Sequence, residues 1–251
     1  MDTKRIIPCL DVKDGVTVKG INFTALQQVG DPVILGKKYA DEGADELVYL
    51  DISASLEGRQ TFTDLVTRLA RQIHIPITVG GGISSLKEVE RLLQAGATKV
   101  SINTAAVLNP DLIDQIAAKY GDRFLVVAID AKQVDKKWVV TTHGGERQTN
   151  KELYSWAKEA QERGAGEILF TSMDHDGTKN GYPCETYAAL KDLLSIPVIA
   201  SGGAGTVAHI TQVLTAGKAD AALAAGIFHR GETTIQIVKQ ELNRLNIPVR
   251  L

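Results

Sequence analysis

Cysteine, methionine and tryptophan are scarce in this chain of 251 residues, which contains two of each. The two cysteines, Cys9 and Cys184, lie so far apart in the sequence that neither a disulfide framework nor a metal knuckle is indicated. The five histidines show no spacing typical of zinc ligands. We therefore expect a protein that works without a metal and without a cofactor.

An excess of charge of one sign is also missing. The formal net charge is −2, and lysine and arginine are dispersed, so the basic stripe that nucleic-acid binding requires is absent. No apolar run approaches the roughly 20 residues of a membrane-spanning helix. Charged residues follow Met1 almost directly, unlike the start of a secretory signal. We expect a cytoplasmic protein that acts on small molecules.

The chain does contain an internal repeat of a glycine-bearing segment. Residues 75–106 recur at residues 196–227, an offset of 121 positions from Ile75 to Ile196. Each copy has the pattern of a strand, a glycine turn, a helix, a second strand and a turn of small residues. Seven positions are identical between the copies, and in the first copy they are Ile75, Pro76, Gly81, Gly82, Leu93, Ala95 and Gly96.

The repeated glycine turns indicate two phosphate sites. A strand that ends in Gly-Gly lets backbone N–H groups approach an anion closely, and the helix that follows adds partial positive charge. A single Gly-Gly turn is more often a tight turn without a ligand, but its duplication favours the binding function. In TIM barrels the loops after two neighbouring strands hold a phosphate jointly.

The alternation of strand and helix patterns along the chain predicts a (β/α)8 TIM barrel with two-fold internal pseudo-symmetry. We expect one domain over residues 1–251, built from half-barrels of about residues 1–120 and 121–251. A doubly wound open sheet is the alternative, but such a sheet has no reason to repeat after its fourth strand. Four details are also predicted: a long loop after the first strand as a functional lid, a loop over residues 52–59, a helix over residues 61–72 and a hairpin within residues 133–149.

Two aspartates occupy matching places at the ends of the first and fifth predicted strands. Asp11 lies in the sequence LDVK and Asp130 in IDAK, so each is followed by a small residue and a lysine. A turn-forming or capping aspartate is the ordinary interpretation of either one. The barrel would place them on opposite walls of one mouth, between the two phosphate sites. This predicts an elongated substrate with a phosphate at each end and a reaction between two carboxylates.

Several motifs together resemble one family of histidine biosynthesis. The stretches KRIIPCLDVKDGVTVKG, ELVYLDISAS, TVGGGI, KVSINTAA, VVAIDAK, GAGEILFTSMDHDGTKNGY, IASGGAG and ALAAGIFH are similar to the cyclase subunits of imidazole glycerol phosphate synthase. The resemblance implies that ammonia from a glutaminase partner reacts with phosphoribulosyl-formimino-aminoimidazole carboxamide ribonucleotide. It implies imidazole glycerol phosphate and aminoimidazole carboxamide ribotide as products.

The resemblance also implies roles for individual residues. Asp11 and Asp130 would be the acid–base pair, but the sequence does not say which is the acid. Predicted substrate and phosphate contacts are Lys19, Gly81, Gly82, Asn103, Thr104, Thr171, Asp176, Gly177, Ser201, Gly202, Gly203, Ala224 and Ala225.

Four charged residues directly precede predicted strands, at the opposite end of the barrel: Arg5, Glu46, Lys99 and Glu167. An ion-pair ring that stabilises the fold is the ordinary interpretation of this arrangement. The family resemblance implies instead a gate for ammonia, with the glutaminase subunit docked at this N-terminal face as a heterodimer.

Two alternatives remain open at this level. The sibling phosphoribosyl formimino isomerase is also a duplicated barrel with paired aspartates, although CLDVKDG, VKGINF and DISASLEGR look like the cyclase. A catalytically silent barrel kept as a scaffold is the other, and the presence of both aspartates and both glycine turns argues against it.

Overall fold

The computed structural model describes residues 3–21, 24–52 and 56–251, with side chains described at 3–18, 27–52 and 62–251. Lys19, one of the predicted substrate contacts, has its side chain outside the described part. The strands are β1 (Arg5–Lys13), β2 (Val16–Ile21), β3 (Thr24–Gly30), β4 (Leu47–Asp51), β5 (Ile77–Gly80), β6 (Lys99–Ile102), β7 (Leu125–Val134), β8 (Lys137–Thr142), β9 (Arg147–Glu152), β10 (Glu167–Ser172), β11 (Val198–Ser201) and β12 (Ala221–Ala224).

The helices alternate with these strands, as the sequence predicts. They are α1 (Pro32–Asp41), α2 (Leu56–Gln72), α3 (Leu86–Gln94), α4 (Thr104–Leu108), α5 (Asp111–Tyr120), α6 (Leu153–Glu162), α7 (Cys184–Leu193), α8 (Val207–Thr215), α9 (Gly226–His229) and α10 (Ile235–Arg244). None of the helices in the described ranges is long and apolar enough to cross a membrane.

Eight strands pair in parallel and close into a barrel, which confirms the predicted fold. The order around the barrel is β1, β4, β5, β6, β7, β10, β11 and β12. The ring closes where β12 pairs with β1, with Ala221 beside Arg5 and Ala224 beside Pro8. These strands read as continuous apolar runs because both of their faces are covered, one by the barrel interior and the other by helices.

The chain beyond the first strand corrects one prediction. The expected long loop contains an antiparallel hairpin instead, in which β2 pairs with both β1 and β3. The turn between β1 and β2 is Asp14–Gly15, and both residues have positive φ, of 49° and 82°. Asp-Gly with positive φ at both positions is the preferred two-residue hairpin turn, so the sequence held the signal that this is a hairpin.

The second half contains a corresponding antiparallel hairpin after its first strand. There β7 runs on into β8 through the turn Asp135–Lys136, again with positive φ at both residues, and β9 completes the hairpin. This confirms the hairpin predicted within residues 133–149. A further correction concerns α2, which begins at Leu56 rather than at residue 61, within what the sequence suggested was a loop.

Helix caps fix the chain where it leaves the strands. Asp31 caps α1 by accepting hydrogen bonds from the amides of Val33 and Ile34, and Pro32 occupies the first helical position. After β5, Ser85 caps α3, while Glu88 accepts a hydrogen bond from the amide of Ser84. These caps hold the turns after the strands at defined positions around the barrel mouth.

The strand register supports the internal two-fold relation. Asp11 lies opposite Leu50, and Asp130 lies opposite Thr171, so the two aspartates occupy corresponding places in β1 and β7. The offset between the halves grows from 121 to 122 before the last strand of each half. Lys218, with a φ of 55°, is the extra residue in that turn. Asn103 therefore corresponds to Ala225, and Thr104 to Gly226.

Candidate active site

The carboxyl ends of the eight strands surround one cavity with a volume of about 540 Å³. This is the end of the barrel where TIM-barrel enzymes carry out their chemistry. Both aspartates and every predicted substrate contact with a described side chain line it: Asp11, Gly81, Gly82, Asn103, Thr104, Asp130, Thr171, Asp176, Gly177, Ser201, Gly202, Gly203, Ala224 and Ala225. The structure thus brings together residues that lie up to 214 positions apart, from Asp11 to Ala225.

Each aspartate lies where a barrel strand continues into its hairpin. Asp11 is opposite Val18 of β2, and Asp130 is opposite Thr141 of β8. Asp11 is buried, with 6% of its surface exposed, whereas Asp130 is half-buried at the cavity wall. Because these strands belong to opposite sides of the barrel, the two carboxyl groups face one cavity from opposite walls.

The surroundings of Asp130 change its acidity. Burial raises the pKa of Asp130 to about 6, since removal from water disfavours the charged form, and the nearby negative charge of Asp176 acts in the same direction. Hydrogen bonds from Asn103 and Thr171 oppose this rise. In the first of these bonds, Nδ2 of Asn103 lies 2.9 Å from Oδ2 of Asp130. Asp130 is therefore protonated more readily than an ordinary aspartate.

The two glycine turns pack against the neighbouring strand or loop. Gly81 and Gly202 have φ of 97° and 87°, a region that favours glycine. A Cβ on Gly81 would lie 2.0 Å from the carbonyl oxygen of Asp51, and one on Gly202 would lie 2.6 Å from that of Ser172. Glycine is thus required for close packing here, and the same packing leaves backbone at the cavity surface.

The small-residue turns that follow β6 and β12 also match in conformation. Asn103 has φ −129° and ψ −91°, and its counterpart Ala225 has φ −124° and ψ −67°. A short helix begins after each of them, α4 and α9 respectively. Each half therefore presents a glycine turn and a second turn side by side at the cavity.

Some residues that line the cavity were not predicted from the sequence. His143 and Gly144 come from the turn between β8 and β9, and Lys179 and Arg230 come from the loops after β10 and α9. Lys179 lies within the stretch GAGEILFTSMDHDGTKNGY and Arg230 directly follows ALAAGIFH, but neither motif indicates that these side chains reach the cavity. The signal that could have found them is positional, because the loops at the carboxyl ends of the strands all reach this mouth.

At the opposite end of the barrel the four predicted charged residues form a closed ring. Nη1 of Arg5 lies 3.0 Å from Glu46 and Nη2 lies 2.7 Å from Glu167. Nζ of Lys99 lies 2.9 Å from Glu46 and 2.5 Å from Glu167. The hydroxyl of Thr78 also donates to Glu46. Burial tends to raise the pKa of Glu167, but the charges of Arg5 and Lys99 lower it below its usual value.

Apolar side chains fill the barrel between this ring and the cavity. The interior layer consists of Ile7, Cys9, Val48, Val126, Leu169, Ile199, Ala221 and Leu223. Cys9, Leu169 and Leu223 also line the cavity, so the apolar interior forms its floor. Any small molecule that passed from the ring to the cavity would cross this layer.

Among the described residues, no group of three or more histidine, cysteine, aspartate or glutamate side chains is arranged to hold a metal ion. The chemistry available at the mouth is that of four carboxylates (Asp11, Asp51, Asp130 and Asp176), backbone turns and a few cationic side chains. A closed barrel with this mouth defines the class, a (β/α)8-barrel enzyme with carboxylates at the mouth of the barrel.

Comparison with known proteins narrows the class. The family described as histidine biosynthesis protein matches residues 5–234, and the chain belongs to this family. A relative from Phocaeicola vulgatus is 61% identical over 251 residues and one from Flavobacterium psychrophilum is 57% identical over 251, each covering both chains completely. A third, from Bacteroides thetaiotaomicron, is 60% identical over 250 residues, again covering both chains. All three are named imidazole glycerol phosphate synthase subunit HisF. The resemblance is thereby confirmed, together with the cyclase function in histidine biosynthesis, and the isomerase is not favoured.

Proposed function

We propose that the chain uses ammonia to convert phosphoribulosyl-formimino-aminoimidazole carboxamide ribonucleotide into imidazole glycerol phosphate and aminoimidazole carboxamide ribotide. The observation that carries this proposal is the arrangement of the mouth. Two aspartates face one cavity from corresponding strands, and a pair of turns adjoins each. A substrate with a phosphate at each end fits this order of groups. The scaffold alternative gives no reason for both aspartates to line the cavity.

The two aspartates have different roles in this proposal. Ring closure with loss of water requires a proton donor and a proton acceptor. Asp130 is the donor, because burial raises its pKa to about 6 and a fraction of the protein carries the proton at neutral pH. Asp11 is the acceptor on the opposite wall. Backbone at the turns of Gly82 and Gly203 holds the two phosphates.

The ring at the N-terminal face is the entrance for ammonia, and the glutaminase subunit docks there. Three observations support this: the ring lies on the barrel axis, the interior above it is apolar, and that interior reaches the cavity floor. Neutral ammonia crosses an apolar layer at much lower cost than ammonium, since burial of an unpaired charge is expensive. The whole chain acts as one barrel domain made of two half-barrels.

A turnover assay with ammonium salt tests the chemistry without the partner. The wild-type chain should release aminoimidazole carboxamide ribotide from the bis-phosphorylated substrate, with ammonium as the nitrogen source. In a parallel assay, isomerisation of the substrate of the sibling phosphoribosyl formimino isomerase would favour the isomerase. No turnover in either assay would favour the scaffold.

The gate is tested by a differential measurement on Lys99→Ala. This change removes one cation while Arg5 still pairs with both glutamates, so the ring is opened and its other ion pairs remain. With the glutaminase bound, glutamine-dependent turnover should change severalfold or more. Turnover with ammonium salt should stay near that of the wild type, because free ammonia can enter from the open mouth. An equal fall in both activities would show that the ring is structural.

A further inference from the structure

A buried tyrosine lies behind the second glycine turn. Tyr187 belongs to α7 and is fully buried. Its ring packs against Phe170 of β10, with 5.1 Å between the ring centroids. Burial raises the pKa of the Tyr187 phenol well above its ordinary value, so the hydroxyl keeps its proton. The hydroxyl therefore remains a hydrogen-bond donor, and its partners show what it holds in place.

Three backbone groups of two strands surround the hydroxyl of Tyr187. It donates to the carbonyl oxygens of Phe170 and Ser201, over 2.9 and 2.7 Å, and its single proton is shared between them. It also accepts from the amide of Ser201 over 3.1 Å. The last pair in the register of β10 and β11 is Thr171 opposite Ser201, and both residues line the cavity. Tyr187 thus fastens the two strands to each other where they reach the mouth.

These contacts also fix the direction of the peptide that joins Ser201 to Gly202. Every peptide bond among the described residues is trans, and in a trans peptide the C=O and the N–H point in opposite directions. The carbonyl of Ser201 points toward β10, because the hydroxyl that it contacts also bonds to Phe170. Since β11 lies between β10 and β12, the N–H of Gly202 points to the side of β12. The turn at Ala225 follows β12 there and lines the same cavity.

The first half has an apolar residue at the matching place. At the offset of 121 that relates the two glycine turns, Val66 of α2 corresponds to Tyr187, and Gly80 corresponds to Ser201. Val66 is fully buried, but its side chain has neither a donor nor an acceptor. A barrel strand can therefore end in a glycine turn without a hydroxyl at this place, so the fold alone does not account for Tyr187.

We propose that Tyr187 is a positioning residue, which aims the amide of Gly202 at an anion between the turns that follow β11 and β12. The inference rests on the proposed function, in which this side of the mouth holds one phosphate. It adds a fully buried side chain that acts on the substrate through the backbone. Without the hydroxyl, the peptide between Ser201 and Gly202 loses this partner and is free to rotate. Such a rotation turns the N–H away from the anion.

Inorganic phosphate tests this role in the full chain, through NMR titration of the amide signals of Gly82 and Gly202. Tyr187→Phe removes the hydroxyl and keeps the ring that packs against Phe170. We expect phosphate to bind about fivefold more weakly at Gly202 in this variant, the factor that corresponds to one net hydrogen bond. Binding at Gly82, in the first half, should not change. An unchanged affinity at Gly202, or an equal loss at both turns, would overturn the inference.

Steady-state kinetics with ammonium salt separate positioning from stability. A phosphate contact holds the substrate equally before and during the reaction, so its loss raises KM and leaves kcat unchanged. Tyr187→Phe should therefore raise KM for the bis-phosphorylated substrate by about fivefold. A fall in kcat at unchanged KM, or no change in either, would contradict the role.

Tyr49→Phe is the matched control. Tyr49 is also fully buried, and its hydroxyl donates to a backbone carbonyl, that of Pro32, over 3.0 Å. Thermal unfolding should show a similar loss of stability in both variants, because each loses one buried hydrogen bond. Only Tyr187→Phe should change KM. An equal rise in KM in the two variants would show that lower stability, and not the position of the peptide, is the cause.

The two proposals fail in different ways. A wild type without turnover would contradict the proposed function, and the phosphate titration would still test Tyr187. Full turnover of the wild type, with the same phosphate affinity at Gly202 in the wild type and in Tyr187→Phe, would leave the proposed function intact and remove the role of Tyr187.

Discussion

The two half-barrels have a common backbone but different side chains at corresponding places. Their aspartates share one register, their glycine turns share positive φ, and each inserts a hairpin after its first strand. Yet the side-chain amide of Asn103 donates to Asp130 in one half, whereas its counterpart beside the first strand is Ala225, which has no side-chain donor. The backbone is thus similar in the two halves, whereas the side chains around the two aspartates differ.

The comparison shows that the two halves share a backbone conformation, whereas their side chains at the cavity differ. Close approach of backbone to backbone fixes the glycines, so both halves keep them. Side chains at the cavity are under no such constraint and can differ between the halves.

The largest expected effect comes from substitution of the aspartates, which tests whether the carboxyl group on each wall of the cavity is required for turnover. Asp11→Asn and Asp130→Asn should each lower turnover by about a hundredfold or more, the range of general acid–base catalysis. Substrate affinity and the fold should be nearly unaffected, since asparagine has almost the same shape. Steady-state kinetics with ammonium salt measure both quantities. Near-normal turnover in either variant would exclude that residue from the pair.

A buried ion pair between Asp45 of the first half and Lys239 of the second has no counterpart at the matching place, where Gly166 corresponds to Asp45. Asp45 accepts two hydrogen bonds of 2.8 Å, one from the amide of Ile6 and one from Nζ of Lys239. It also pairs with Arg250. The side chains of Asp45 and Lys239 are only 2% and 4% exposed. These contacts fasten α10 and the C-terminal tail to the bottom of the barrel.

Removal of Lys239 should therefore destabilise the protein strongly. Lys239→Met leaves a buried carboxylate with weaker partners, at a cost of about 3 kcal/mol in the free energy of unfolding. Urea denaturation measures this cost. The control is Lys191→Met, which removes the more exposed partner of Asp220 and should cost about 1 kcal/mol or less. Equal costs would show that the buried pair contributes no more than the more exposed one.

A smaller effect sharpens the comparison between the aspartates through pH. Because the pKa of Asp130 rises from 3.8 to about 6 on folding, the folded protein binds the proton more tightly than the unfolded chain. The charged form therefore costs stability, and that cost appears as pH rises from about 4 to 6 and is complete above that range. Asp130→Asn should remove the cost and stabilise the protein at pH 7 by at most about 3 kcal/mol.

Thermal or urea unfolding across pH 3 to 8 checks this prediction. The gain in the variant should vanish below about pH 4, where Asp130 is protonated in both states. A gain that is independent of pH, or a loss of stability at pH 7, would show that burial does not raise the pKa of Asp130.

The sequence predicted those features that depend on local pattern. The barrel, both glycine turns, the aspartates and the charged ring follow from strands, turns and their repetition at an almost constant offset. The hairpin after β1 was misjudged as a loop, although Asp14–Gly15 carries the signal for its turn. The helix α2 was started too late, because residues 56–60 lack a clear apolar stripe.

Features that depend on distant partners could not be predicted. Lys179 and Glu232 lie 53 positions apart, and Asp45 and Lys239 lie 194 apart. No periodicity links such residues, since only the closed barrel brings them together. The raised pKa of Asp130 is of the same kind, because it comes from burial and from Asp176. The sequence did not indicate which of the two aspartates is the acid.

The central claim is that one mouth holds a bis-phosphorylated substrate between two phosphate sites, and a crystal structure with inorganic phosphate tests it most directly. At high phosphate concentration the account predicts two anions on opposite sides of the cavity, one at the turn of Gly82 and one at the turn of Gly203. An anion at one turn only, at every concentration, would contradict the claim that both turns bind phosphate.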